Sequence, residues 1–320
     1  MKLLNGAKNV DAFLSRIMPL VPFTGLVLGV SFPHIFINIA PIAPILFGTM
    51  TLTGALRLKA RDLGKAASSP IVFVMYFVTS RVLLPLFVLF FCRLIFSHDP
   101  DVISGFVLVY AVPTAVTSFV WVTIIKGDLA LVLAFILMDT ILAPLIVPAT
   151  VMIFLGAAIS IDIMGMALSL LYMIVIPTII GISLNEMSNG KVPALIGPWL
   201  SPLSKVIIIF VVAANSAGAA PLIRPDNPRV WMIIGVCMCL NIFAFLFGKC
   251  VSMLGKLETK KQVAFFLATG LRNNSAAMIL GLQFFPAAAV LPSILGILTQ
   301  HSIAGIMGKI LTRKKPPEES

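Results

Sequence analysis

The sequence predicts an all-α polytopic membrane protein of ten transmembrane helices, arranged as two inverted five-helix repeats. Three observations carry this expectation: a composition too apolar for water, ten apolar segments of membrane-crossing length, and an interrupted segment at a matching place in each half. Of 320 residues, 59% are hydrophobic and 11% charged, and the mean hydropathy is +1.08. So little charge cannot coat a soluble globule of this size.

A helix needs about 20 apolar residues to cross the hydrocarbon core. Ten segments meet that need: 17–33, 35–56, 70–96, 102–125, 129–155, 163–184, 205–222, 230–254, 263–285 and 288–311. No separate signal peptide is expected, because the first 14 residues are polar and the first apolar segment leads directly into a polytopic chain. Of the 23 basic residues, only Arg93, Arg224 and Arg229 fall on one side of this topology, and Arg81 and Arg272 lie inside segments. The remaining 18 share the side of both termini, which the positive-inside rule assigns to the cytoplasm. The formal net charge of +11 is thus a product of topology, and nucleic acid is not an expected partner. Cys92, Cys237, Cys239 and Cys250 lie within or at the ends of apolar segments without metal-ligand spacing and read as packing residues.

Five segments from each end leave a break near 156–162, giving a first repeat over 1–156, a second over 157–311 and a cytoplasmic tail over 312–320. Five is odd, so the second repeat must cross the membrane in the opposite sense, as in many secondary transporters. The ninth segment contains Ala268-Thr269-Gly270-Leu271-Arg272-Asn273-Asn274-Ser275, a polar insert at the depth where charge is most costly. Its counterpart in the fourth is Ala111-Val112-Pro113-Thr114-Ala115-Val116-Thr117-Ser118. Both runs are small and hydroxyl-rich around a helix breaker, and a broken helix offers bare N–H and C=O groups to a ligand. The candidate binding residues are therefore Thr114, Thr117, Ser118, Thr269, Arg272, Asn273, Asn274 and Ser275. Asn215 and Ser216 of the seventh segment join them as candidates for lining the cleft, the alternative being glue between helices.

Asp139 is the one acid deep in a segment and needs a partner, for which Arg81 and Arg272 are the deep cations available. Two roles are open to it, a fixed ion pair between helices or a proton-coupling carboxylate. Gln300 and His301 read as interhelical hydrogen bonding, and Lys256, Lys260 and Lys261 as an orientation signal that touches anionic lipid. Trp199 and Trp231 sit where interfacial belt residues are expected.

The chain resembles the bile acid:sodium symporter family, within the superfamily that includes arsenite and auxin transporters. The residues that carry the resemblance are Leu46 to Thr53 with Ala60-Arg61-Asp62-Leu63, Thr114 to Ser118 with Lys126-Gly127-Asp128, and Gly270 to Ser275. The resemblance implies a panel domain of helices 1, 2, 6 and 7, and a core domain of helices 3–5 and 8–10. It further implies that helices 4 and 9 are unwound and cross at mid-membrane, with an organic anion in the cleft between domains. At the positions where the family keeps its sodium ligands this chain has Ser118-Phe119, Val132, Ile136, Ala268 and Arg272, so one expected oxygen ligand survives. A hard cation needs several oxygen donors, and these departures argue against sodium coupling. Two roles for Arg272 follow: a tethered cation in place of the ion, or a bidentate clamp on a substrate carboxylate.

The expected function is secondary transport of a small or amphipathic organic carboxylate by alternating access, in the plasma membrane (the inner membrane of a bacterium). The alternatives are a sodium- or proton-coupled bile-acid-type symporter and, in another class, a channel or receptor. No constellation of paired deep carboxylates, HExxH or serine–lysine is present, so no enzyme and no cofactor is expected.

Overall fold

Proline and short polar side chains set the helix starts. Pro33, Pro70, Pro100 and Pro228 stand at the first helical position, where the missing N–H costs nothing. Asp99, Asp128, Asp162, Asn227 and Asn273 each accept a first-turn N–H as side-chain caps. The computed structural model describes residues 20–60, 69–156 and 161–312, together with 10, 11, 13, 14, 17 and 64.

Twelve helices follow: α1 (Leu20–Ser31), α2 (Pro33–Ala55), α3 (Pro70–Ile95), α4 (Pro100–Ala111), α5 (Thr117–Ile125) and α6 (Leu129–Leu155) in the first half. The second half holds α7 (Ile163–Met187), α8 (Lys191–Leu222), α9 (Pro228–Leu254), α10 (Thr259–Gly270), α11 (Asn274–Phe284) and α12 (Ala287–Leu311). Seven of them, α2, α3, α6, α7, α8, α9 and α12, are long and apolar enough to cross a membrane. The first expected segment corresponds to the 12-residue α1, while the fourth and ninth are each divided in two, α4 with α5 and α10 with α11.

One boundary differs clearly from the sequence expectation. The seventh expected segment is α8, which starts at Lys191, not near 205, and includes Gly197, Pro198, Ser201 and Pro202. Leu195, Trp199 and Leu203 recur every fourth residue on one exposed face, and this helical apolar stripe outweighs the breakers. Lys205 consequently lies inside the helix and pairs with Asp11 at 2.6 Å.

α3 and α7 each contain a π turn, Val78–Leu83 and Leu171–Val175. In both, a proline follows two residues after the turn, Pro85 and Pro177. Proline cannot return an N–H to the preceding turn, and the ladder widens there.

The helix contacts fall largely into two sets, joined where α6 packs on α7. α8 lies on α1 and α2, and α7 on α2. Gly25 and Gly29 let α1 approach the α8 backbone so closely that a Cβ on Gly25 would stand 2.7 Å from the Ile209 carbonyl oxygen. In the second group α9 packs on α10 and α12, while α4 packs on α3, α6 and α12. Gly248 faces Phe266 and Thr269, and a methyl on Gly270 would run into the Phe245 ring.

Candidate transport site

The two interrupted helices meet at their breaks. Pro113 supplies no N–H and Val112 and Leu271 are extended, so each segment leaves main-chain groups without helical partners. They pair with each other. Thr114 and Arg272 form an antiparallel bridge, the Ala115 N–H donates to the Leu271 carbonyl at 2.9 Å, and the Asn273 N–H donates to the Pro113 carbonyl at 3.0 Å. The Thr114 hydroxyl adds a donor shared by the carbonyls of Ala268 and Leu271, at 2.8 and 2.9 Å.

Gln300 of α12 closes the other side of the Arg272 peptide. Its Oε1 accepts from the Arg272 N–H and its Nε2 donates to the Arg272 carbonyl, both at 3.0 Å. Asn274 Nδ2 donates to the same Oε1 at 3.1 Å. A side-chain amide thus serves as a third strand one residue long.

Arg81, Asp139 and Arg272 are the charged side chains buried among the described residues. Asp139 pairs with Arg81, not with Arg272. Arg81 donates from Nε to Asp139 Oδ1 at 3.0 Å and its Nη2 contacts Oδ2, while its Nη1 donates to the carbonyls of Ala111 and Val112, each at 2.8 Å. These carbonyls end α4, where a cation is favoured by the helix dipole. Asp139 also accepts from the Tyr76 hydroxyl at 2.7 Å and the Thr114 N–H at 3.1 Å. The carboxylate therefore ties α3, α6 and the break after α4 together.

Arg272 is 1% exposed and donates from Nη2 to the Ser80 carbonyl at 3.0 Å. That carbonyl is available because of the π turn: the Leu84 N–H goes to Thr79, and Pro85 has no N–H to give. Nε and Nη1 of Arg272 have no protein acceptor, and Ser80 Oγ is likewise buried and unpartnered.

A cavity of about 110 Å³ opens beside the paired breaks, between α1, α2 and α8 on one side and α5, α11 and α12 on the other. Its polar wall includes Thr117, Arg272, Asn273, Asn274, Ser275 and His301, and its apolar wall Phe47, Met50, Ile208 and Ile297. Among the described residues no carboxylate lines it. The N-termini of α5 and α11 both border it and turn the positive ends of two helix dipoles toward it, although most of their first-turn N–H groups are already taken by Ala115, Val116, Arg272 and Asn273. The place suits an anion.

Of the other residues expected at the site, Thr114 borders a smaller cavity of about 20 Å³. Thr269 turns its hydroxyl back to the Phe265 carbonyl, and Asn215 bonds the Val211 carbonyl within its own helix. Ser118 and Ser216 are fully buried with unpartnered hydroxyls. Three contributors, Tyr76, Gln300 and His301, were not singled out for the site from the sequence. Tyr76 and Arg81 are five residues apart, a spacing that a regular helix would not bring together but a π turn does; Pro85 is the sequence signal for it. Gln300 and His301 were read only as hydrogen bonding between helices, and a lone glutamine carries no mark of pairing with a peptide.

Many apolar helices with an anion-suited cavity between two packed groups make a multi-pass membrane transporter, and comparison with known proteins agrees. Residues 43–224 match the model of the Sodium Bile acid symporter family. The chain is 32% identical over 299 residues to the uncharacterized protein YbaS of Bacillus subtilis (strain 168), covering 92% of this chain and 97% of that relative. It is 24% identical over 313 residues to the probable sodium/metabolite cotransporter BASS1, chloroplastic, of Arabidopsis thaliana, covering 97% and 76%. A third relative, the uncharacterized sodium-dependent transporter YocS of B. subtilis, is 24% identical over 282 residues, covering 88% and 86%. The chain belongs to the sodium bile acid symporter family.

The sodium positions drawn from that resemblance are dry here. Val132, Ile136 and Ala268 are completely buried in one apolar cluster with Phe245 and Phe265. Ser118 alone offers a side-chain oxygen, and a guanidinium occupies the remaining position. These side chains do not fit a sodium cage.

Proposed function

We propose that the protein is a secondary transporter of a small or amphipathic organic carboxylate, working by alternating access without a co-transported sodium ion. The observation that carries this reading is the cavity: it has two helix N-termini, a buried arginine with two nitrogens free of protein acceptors, and no acid among the described residues. Arg272 is the fixed cation. It stands in the place of the imported ion, held by the Ser80 carbonyl on one side and by Gln300 through its peptide on the other.

The ligand sits against Thr117, Asn273, Asn274, Ser275 and His301, with apolar contacts from Phe47, Met50 and Ile208. The two five-helix repeats, 1–156 and 157–311, supply one broken helix each. Helices α1, α2, α7 and α8 form the panel, and the remainder form the core that carries the site. Asp139 is a fixed partner of Arg81, since four donors already converge on its carboxylate. The termini are cytoplasmic and the membrane is the plasma membrane.

The relatives' names favour a second reading, sodium-coupled symport, because BASS1 and YocS are described as sodium-linked. Counterflow of labelled pyruvate, benzoate and cholate in proteoliposomes, run with a sodium gradient, a proton gradient or neither, separates the two. Sodium-independent counterflow is expected. Uptake that requires sodium would replace the first reading by the second, and absence of counterflow with every anion would remove the carrier reading. Arg272→Gln that becomes sodium-stimulated supports the fixed cation, whereas loss of anion affinity alone assigns Arg272 to the ligand directly.

A further inference from the structure

The buried charges of the described chain, Arg81, Asp139 and Arg272, do not sum to zero. Asp139 uses both oxygens on Arg81, Tyr76 and the Thr114 N–H, so its charge and that of Arg81 cancel. Arg272 has only neutral partners, the Ser80 carbonyl at its Nη2 and nothing at Nε or Nη1. An arginine does not release its proton in a protein. The centre of the empty molecule is therefore positive by one, and a monovalent anion in the adjoining cavity brings it to zero.

We propose that the empty carrier, and not the loaded one, is the voltage-sensitive form, so that a cytoplasm-negative membrane potential drives net export of a monovalent organic anion. The inference rests on the alternating-access reading above. A site open to one side shares that side's electrical potential, so the uncompensated charge of Arg272 crosses part of the field whenever the empty carrier changes its facing. The ratio of the two facings then shifts by at most roughly fifty-fold per 100 mV, the limit for one elementary charge crossing the full field.

The direction follows from the sign. The negative side draws the empty, positive carrier to face the cytoplasm, where it loads. The loaded form is neutral and crosses without regard to voltage. After release outside, the empty carrier is drawn inward again, and each turn has moved one negative charge out. Net uptake requires the empty form to cross against the same field. Exchange of one anion for another uses only the neutral crossing and is indifferent to voltage.

The test needs no identified substrate. Voltage steps applied to the full-length protein in a planar bilayer, in potassium buffer without sodium or organic anions, are expected to give a transient charge displacement. Arg272→Lys keeps it and Arg272→Gln abolishes it, with monodisperse elution in detergent showing that each variant is folded. No displacement in the wild type, or an undiminished one in Arg272→Gln, overturns the proposal. In proteoliposomes with a valinomycin-clamped potassium potential, net efflux of labelled pyruvate or cholate should rise with interior-negative voltage while exchange stays constant. Counterflow that persists while both fluxes respond equally to voltage refutes this inference and leaves the carrier reading standing. Loss of counterflow in every arm refutes the carrier reading itself.

Discussion

The carboxamide of Gln300 holds both polar groups of the Arg272 peptide at 3.0 Å, in the dry centre of the molecule. Removing it leaves the buried Arg272 N–H and the Asn274 side-chain amide without their acceptor, while the Arg272 carbonyl keeps the Asn274 N–H, and each orphan costs about 1–3 kcal/mol. Gln300→Leu is therefore expected to lower stability by roughly 2–6 kcal/mol, the two orphans together, read as an earlier unfolding midpoint in detergent. Gln300→Glu keeps the acceptor and loses the donor, and should fall between. Equal midpoints for wild type and Gln300→Leu would show that the pairing adds nothing.

Asp139→Asn leaves the Arg81 guanidinium buried without its counter-ion, and breaking a buried pair from one side costs about 3–5 kcal/mol. The double variant Arg81→Met with Asp139→Asn should recover a substantial part of that loss. A double-mutant cycle on unfolding midpoints measures the coupling. Strict additivity of the two single changes would contradict the paired geometry.

Thr117 lines the cavity, and its hydroxyl is buried with no protein partner. Thr117→Val preserves the volume and removes only that group, so stability should hardly change while anion affinity falls by about tenfold, the equivalent of one hydrogen bond of about 1.4 kcal/mol. Saturation of labelled-anion counterflow gives the number.

Gly270 packs against the Phe245 ring with no room for a methyl group. Gly270→Ala is expected to cost about 1–3 kcal/mol by overpacking, and Phe245→Leu in the same chain should restore part of it. Rescue measured by thermal unfolding distinguishes this clash from a simple change of helix propensity.

Asp11 precedes the membrane-crossing helices, and the response of its pair with Lys205 to pH has a definite sign. Burial pushes the Asp11 carboxyl up, but hydrogen bonds from Lys205 and Ser201 and the charges of Lys205 and Arg57 together hold it below the ordinary value. A carboxyl lowered in the folded state contributes stability above its unfolded value, and loses it as pH falls through the folded one. The difference in unfolding midpoint between wild type and Asp11→Asn should therefore be small and constant above about pH 5 and shrink as pH falls below the ordinary carboxylate value.

How far the sequence reveals this architecture depends on the kind of signal. The breaks at Pro113 and Gly270 and the depth of Arg272 are visible because helix breakers and charge are costly in an apolar run wherever the chain folds. Asp139 visibly needed a cation, yet the choice of Arg81 over Arg272 depends on the π turn that sets Arg81 beside Tyr76 and the end of α4. The helical start at Lys191 was hidden by Pro198 and Pro202, since loop composition and an interfacial helix look alike until the exposed stripe is seen. Gln300 was legible as a polar residue and illegible as a strand, because pairing with a peptide is a matter of position and not of residue type.

The joint between the two broken helices closes chiefly through main-chain atoms, with Thr114 and Gln300 as side-chain clasps. Peptide groups are common to every residue, so a lineage can exchange oxygen-bearing side chains for Val132, Ile136 and Ala268 around such a joint without unmaking it. The crossing of the broken helices is in that sense a frame whose assembly does not depend on which side chains surround it.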